Sequence, residues 1–385
     1  MSKNIPIKPL LSLFASFFLL NLISQINSSI VPSFLMEKGL RISELENFEL
    51  LEILSTIVAG LLLIQTVNLI RGKKILLVSL ISFFISILGI TVVTDHSLMA
   101  AFLMIMSASV FSYNVLSLIT ACNYSPAYKK FILGAFFILW VVGISAAENI
   151  NVFLKQHNPN YVLIINILTC GILVIINSIL VDIDPIQSMF ADSKFSDLIK
   201  NIELQLVTIL VISYITIDIF WYYDILALIE NLPISDIDLV QKYVLYSICL
   251  FIIPLLSILD MVNKYLLNIL VITVFYISIL ILLNIDTTTT TNIITFGLFG
   301  ICIYATFICN ILILHDKFDG KELRTSLILY FTMCSVGEYV GALSSYRANN
   351  ITAERHFLIS LYLIIAALLL YHIWHFIKFK SYKLK

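Results

Sequence analysis

Charge is what this sequence is short of. Only 12% of its 385 residues are Asp, Glu, Lys or Arg, against 60% hydrophobic, and the mean hydropathy is +1.01. A water-soluble chain of this length needs a charged surface, and this one has too little charge to make it. The six cysteines show no CxxC or Cys/His ligand spacing, so neither a disulfide framework nor a zinc site is indicated. There is no P-loop and no HExxH, so ATP-driven pumping and metalloprotease chemistry lose their signatures. No nucleophile–base pair stands out. Neither an enzyme nor a cofactor is expected, and no nucleic-acid partner. A cleavable signal is missing too: the first apolar run is too long, lacks a small-residue cleavage site, and reads as a retained helix.

Long apolar runs are what the chain does have. Each is long enough to cross a hydrocarbon layer of about 30 Å. They are continuous rather than alternating, which selects helices over a β-barrel. The expectation is an all-α membrane protein with twelve spans, at 8–34, 49–70, 75–94, 97–121, 131–154, 161–181, 204–229, 243–262, 265–285, 292–314, 323–346 and 357–377. Most connections are short. The exception, 182–203, is polar and carries Asp184, Pro185, Asp192, Lys194, Asp197 and Lys200. It follows span six and divides the chain into two six-helix bundles, 1–181 and 204–385. With the N-terminus cytoplasmic, 17 of the 23 lysines and arginines fall on inside segments and 6 on outside ones. The bias runs the same way in both halves, so both termini are expected inside. Heavy use of Ile, Asn, Phe, Tyr and Lys suggests an AT-rich bacterial genome and hence a bacterial inner membrane.

This layout resembles the major facilitator superfamily over the whole chain. That family's hallmark is a basic loop of the form G-x-x-x-D-R-x-G-R-R between helices two and three. Here the stretch runs from Gln65 to Lys74; Gly72, Lys73 and Lys74 match, preceded by Arg71, while Leu69 and Ile70 replace the acid and first arginine. After span eight, Asp260 and Lys264 match and Asn263 replaces glycine. Each half keeps a different part of the pattern, as in a diverged member. The resemblance implies a cytoplasmic gate loop at Arg71, Gly72, Lys73, Lys74, Asp260 and Lys264. The physical reading needs no family: cations after a Gly turn favour the cytoplasmic side and the C-terminal dipole of the preceding helix. A plain positive-inside loop is the competing reading.

Three acids sit well inside spans: Glu148 in span five, Asp218 in span seven and Glu338 in span eleven. A charge at the bilayer centre costs roughly 2.5–3.5 kcal/mol on insertion scales. Asp218, Trp221 and Tyr222 share one helix face by their i, i+3, i+4 spacing. Spans one and seven correspond in the six-plus-six repeat, and Asn21 and Gln25 fall near the depth of Asp218 and Tyr222. Transporters built from repeats place their sites at the midplane, at the repeat interface. Low dielectric raises a carboxylate's pKa, so such an acid can exchange protons near neutral pH. Asp218 is expected to bind substrate or proton, with Glu148 or Glu338 as a second proton site. The alternative for each acid is a neutral, hydrogen-bonded strut. Secondary candidates are Tyr113 and Asn114 in span four, and Tyr304, Thr306 and Asn310 in span ten, with ordinary interhelical hydrogen bonds as the competing reading. His372, Trp374 and His375 are expected to anchor the end of span twelve at the interface.

Two further absences bear on the substrate. Span five has no glycine-proline pair, a motif of the superfamily's drug–proton antiporters, and no intramembrane arginine is present to clamp an anion. The expectation is a monomeric secondary transporter in lipid, importing a small polar, cationic or zwitterionic solute with protons. Export of a drug or secreted molecule, and a non-transporting sensor on the same scaffold, remain open.

Overall fold

The computed structural model describes residues 7–37, 39–67, 70, 72–124, 128–155, 168–177, 195–217, 262–284, 289–345 and 351–383. Among these, every regular element is a helix: α1 (Ile7–Glu37), α2 (Ile42–Thr66), α3 (Gly72–Val92), α4 (His96–Tyr124), α5 (Lys129–Lys155), α6 (Leu168–Asn177), α7 (Phe195–Ile217), α8 (Lys264–Asn284), α9 (Thr289–Lys317), α10 (Gly320–Ser345) and α11 (Ile351–Lys383). Nine of them are long and apolar enough to cross a membrane. Span eight, apart from its last residue, lies outside the described residues, as do parts of spans six and seven.

The helix ends follow local chemistry. α1 stops at Gly39, whose φ of 95° suits glycine. The Gly39 and Leu40 N–H groups donate to the Met36 and Leu35 carbonyls at 2.9 and 3.2 Å, and Leu35 and Leu40 are both buried. That is a Schellman cap with its hydrophobic contact. Asp95 caps α4, its carboxylate accepting from the Leu98 N–H at 2.9 Å. Asn263 caps α8 in the same way through the Tyr265 N–H, at 2.9 Å.

Two boundaries differ from expectation. α7 begins at Phe195 rather than at residue 204, so Asp197 and Lys200 are helical. The extension is amphipathic: Leu198 and Ile202 are buried one turn apart, while Asp197, Lys200, Asn201 and Glu203 face outward. α3 begins at Gly72, which puts Lys73 and Lys74 in its first turn. The dipole opposes cations there by about 0.3–1 kcal/mol. That opposes any support from the preceding helix's C-terminus, while the positive-inside argument is untouched.

The chain divides into two compact units. The first is Met1–Ala191 with Asp319–Ser335; the second is Asp192–Phe318 with Val336–Lys385. In the first unit α4 is central, packing on α1, α2, α3 and α5, and α1 also packs on α5. Phe136 of α5 meets Phe14 and Phe17 of α1 edge-on, with centroids 5.1 and 4.5 Å apart. In the second unit α7, α9, α8 and α11 form a closed ring of neighbours, each touching the next. Apolar residues also point outward at helical spacing: Val78, Ile81 and Ile85 on α3, and Leu363, Leu370 and Ile377 on α11. Such stripes would aggregate in water and are the expected outer surface in lipid.

Candidate functional site

Asn21 of α1 and Asn114 of α4 pair amide to amide. Asn21 Nδ2 donates to Asn114 Oδ1 at 3.1 Å, and Asn114 Nδ2 donates to Asn21 Oδ1 at 3.0 Å. The second Asn21 N–H goes to the Phe17 carbonyl at 2.8 Å. Asn21 is buried and Asn114 half-buried. Among the described residues, one N–H of Asn114 and a lone pair on each side-chain carbonyl are not used by this pairing. Gln25 lies one turn further along α1, half-buried.

Tyr113, although next to Asn114, points elsewhere. It is fully buried, and its hydroxyl donates to Asn177 Oδ1 of α6 at 2.8 Å. Asn177 Nδ2 then donates to Ser16 Oγ of α1 and to the Leu173 carbonyl, both at 2.8 Å. Successive helical residues diverge by about 100°, so one neighbour joins the α1–α4 pair and the other pins α6. A further acid enters the first unit: Ser107 Oγ of α4 donates to Glu52 Oε2 of α2 at 2.7 Å. A cleft between α2 and α4 is lined by Asn47, Leu51, His96 and Ala100.

In the second unit, Asn310 is buried and its Oδ1 accepts from Asn268 Nδ2 at 2.7 Å. Thr306 is buried one turn away, and Tyr304 is half-buried. Lys264 pairs with Asp316, joining the starting end of α8 to the finishing end of α9. Glu338 is half-buried beside Gly337. At Gly337 the α7 backbone comes so near that an added Cβ would press on the Leu210 carbonyl, 2.9 Å from Ser213 Cβ and 3.0 Å from Tyr214 N.

Span twelve corrects the expectation of a single interfacial anchor. Trp374 is exposed, with Lys378 Nζ 4.8 Å from its ring, as an anchor should be. His372 instead points inward, is buried, and its Nε2 lies 2.6 Å from Thr208 Oγ1 of α7.

Asp218, Trp221, Tyr222, Arg71 and Asp260 lie outside the described residues. Glu148 lies on α5, but its side chain is outside the described set. Sequence reasoning passed over Glu52, Asn177, Gln205, Thr208 and Asn268. The available signal was a polar residue inside an apolar run; its partner is visible only in three dimensions.

No family model matches the chain. The uncharacterized protein RP255 of Rickettsia prowazekii (strain Madrid E) is 36% identical over 370 residues, covering 95% of each chain. Among solved structures, the proton:xylose symporter XylE aligns with a TM-score of 0.75 at 11% identity, over 98% of this chain and 96% of that one. A bacterial homologue of the iron transporter ferroportin gives 0.74 at 11% identity, over 94% and 98%. The E. coli fucose:proton symporter FucP gives 0.70 at 11% identity, over 96% and 99%. The chain therefore belongs to one family with the Rickettsia protein RP255, and its fold is that of the major facilitator superfamily.

Proposed function

We propose that this protein is a secondary active transporter that imports a small polar, cationic or zwitterionic solute by alternating access, driven by protons. The observation that carries the reading is the end-to-end likeness in fold to XylE, a proton:xylose symporter, with a TM-score of 0.75 over 98% of the chain. The ferroportin homologue has the same fold and its structure was determined with soaked iron, so fold alone does not select the solute. Composition supports the choice: acids fall well inside the spans and no arginine lies at comparable depth.

Asn21 and Asn114 supply an amide edge that can bind a polar solute. Asp218 is assigned the proton or the solute's cationic group, with Glu338 or Glu148 as a second proton site and Trp221 and Tyr222 as stacking partners. The lysine and arginine bias supports cytoplasmic termini, and the Rickettsia relative supports a bacterial inner membrane. The protein acts as a monomer.

Proteoliposomes with an imposed pH gradient, screened with a metabolite panel, test the reading. Gradient-driven solute entry is expected, and Asp218→Asn lowers it at least ~10-fold at unchanged membrane abundance. Wild-type uptake in Asp218→Asn removes Asp218 from the mechanism. No flux for any solute in the wild type removes transport itself.

A further inference from the structure

The four-helix ring of the second unit holds a buried polar layer. Thr208 on α7, Asn268 on α8, Asn310 on α9 and His372 on α11 are each no more than 2% exposed. They lie at one level. Lys317 of α9 reaches the Asn201 carbonyl of α7, and seven residues inward from each are Asn310 and Thr208. Thr208 meets His372, and Asn310 meets Asn268. The layer thus crosses the ring one to two turns inside the end that carries Lys264, Asp316, Lys317 and Lys378.

Parts of this layer are left open. Gln205, one turn from Thr208 on α7, is 1% exposed, and neither atom of its amide has a partner among the described residues. Asn268 Oδ1 and Thr306 Oγ1 are in the same condition. Unpartnered amides in an apolar interior are costly, and such groups are the usual seats of internal water. In the first unit Ser16, Tyr113 and Asn177 use one another, and the one nearby open atom among the described residues is Ser12 Oγ, a turn from Ser16 on α1.

The bond pattern also assigns the imidazole. The single Thr208 hydroxyl proton goes to the Leu204 carbonyl at 2.6 Å. Thr208 Oγ1 therefore accepts from His372 Nε2–H, which leaves Nδ1 as the basic nitrogen. His375 of α11 acts on the ring; Glu203 on α7, Lys317 on α9 and Lys378 on α11 surround His375, and the Lys264–Asp316 pair, His315 on α9 and Tyr371 on α11 stand at the same end of the ring.

We propose that this layer is a hydrated proton-exchange site: water bridges Gln205 and Asn268, and His372 takes up and releases protons through it. The step is a simple transfer. A hydronium gives its proton to Nδ1, leaving water and an imidazolium held by Thr208, and the reverse step restores both. Entry is from the lysine-bearing end of the ring. The site stands whether or not the chain carries a solute, because its test reads water and protons rather than flux.

The test is magic-angle-spinning NMR on full-length protein in lipid bilayers with ring-15N histidine. The His372 signals are assigned by their loss in His372→Gln. A water-to-ring cross-peak is expected, with exchange of the ring proton in D2O within minutes and conversion to imidazolium as the buffer falls from about pH 8 to about pH 4. Gln205→Leu should weaken the cross-peak at least ~3-fold while circular dichroism shows the helices retained. A wild-type ring with no water cross-peak and a proton protected for days overturns the hydrated site. A ring that exchanges but never becomes imidazolium overturns the proton role.

Discussion

In the first unit, Ser16 on α1 meets Asn177 on α6, and Tyr113 of α4 completes the group. In the second, Thr208 on α7 meets His372 on α11. Under the six-plus-six repeat these are corresponding spans: one with seven, six with twelve. The first pin is an amide with its bonds closed among three buried side chains. The second is an imidazole whose neighbour Gln205 has no partner among the described residues. Corresponding spans can thus carry a closed strut in one unit and a more open polar site in the other. The difference lies in whether donors and acceptors balance locally.

Removing each pin gives the largest contrast. Asn177→Leu removes two bonds and leaves the Tyr113 hydroxyl and Ser16 only each other, and should cost about 2 kcal/mol at roughly 1 per lost bond. His372→Leu should cost about 1 kcal/mol, because Thr208 keeps its bond to the Leu204 carbonyl. Unfolding of the full chain in detergent measures both, and equal losses would break the comparison.

Glycine contacts give the next effect. An added Cβ at Gly337 meets the α7 backbone, which cannot yield, whereas at Gly60 the three nearest atoms all belong to the Thr332 side chain. Gly337→Ala should cost about 2 kcal/mol and Gly60→Ala less than about 1. The reverse order in thermal unfolding would mean that α7 yields more easily than a threonine rotamer.

Amide pairing gives the smallest effect. Asn21 and Asn114 exchange two bonds, while Asn268 gives Asn310 one. Double-mutant cycles to alanine should return about 1 kcal/mol of coupling for the first pair and about 0.6 for the second, in the range known for membrane helices. Coupling of the second pair above the first would mean that something besides the pair's own bonds holds it.

Much of this was legible in the residues. Continuous apolar runs specify membrane helices, and Asn21 and Asn114 both stand out as polar residues in such runs, though not as partners. Local patterns misled where two elements share a stretch. Asp197 and Lys200 read as loop because charge was counted along the chain; on a helix their face turns to solvent while Leu198 and Ile202 turn in. His372 was grouped with Trp374 by proximity, yet residues two apart on a helix point about 200° apart. Glu52 sat too near the assigned start of span two to count as internal. Asn177 and Asn268 were visible as polar residues in apolar runs, but a side chain's partner on another helix has no local signal.

Asn177 and His372 also have a consequence in genetic terms. Asparagine and histidine codons differ at a single base, so an amide pin and an imidazole pin are a point mutation apart. Exchanging the two residues, Asn177→His with His372→Asn, would ask whether an ionisable group here is tied to its repeat or is portable between them. A duplicated scaffold has room for that exchange, because the sister repeat goes on providing whatever the altered one gives up.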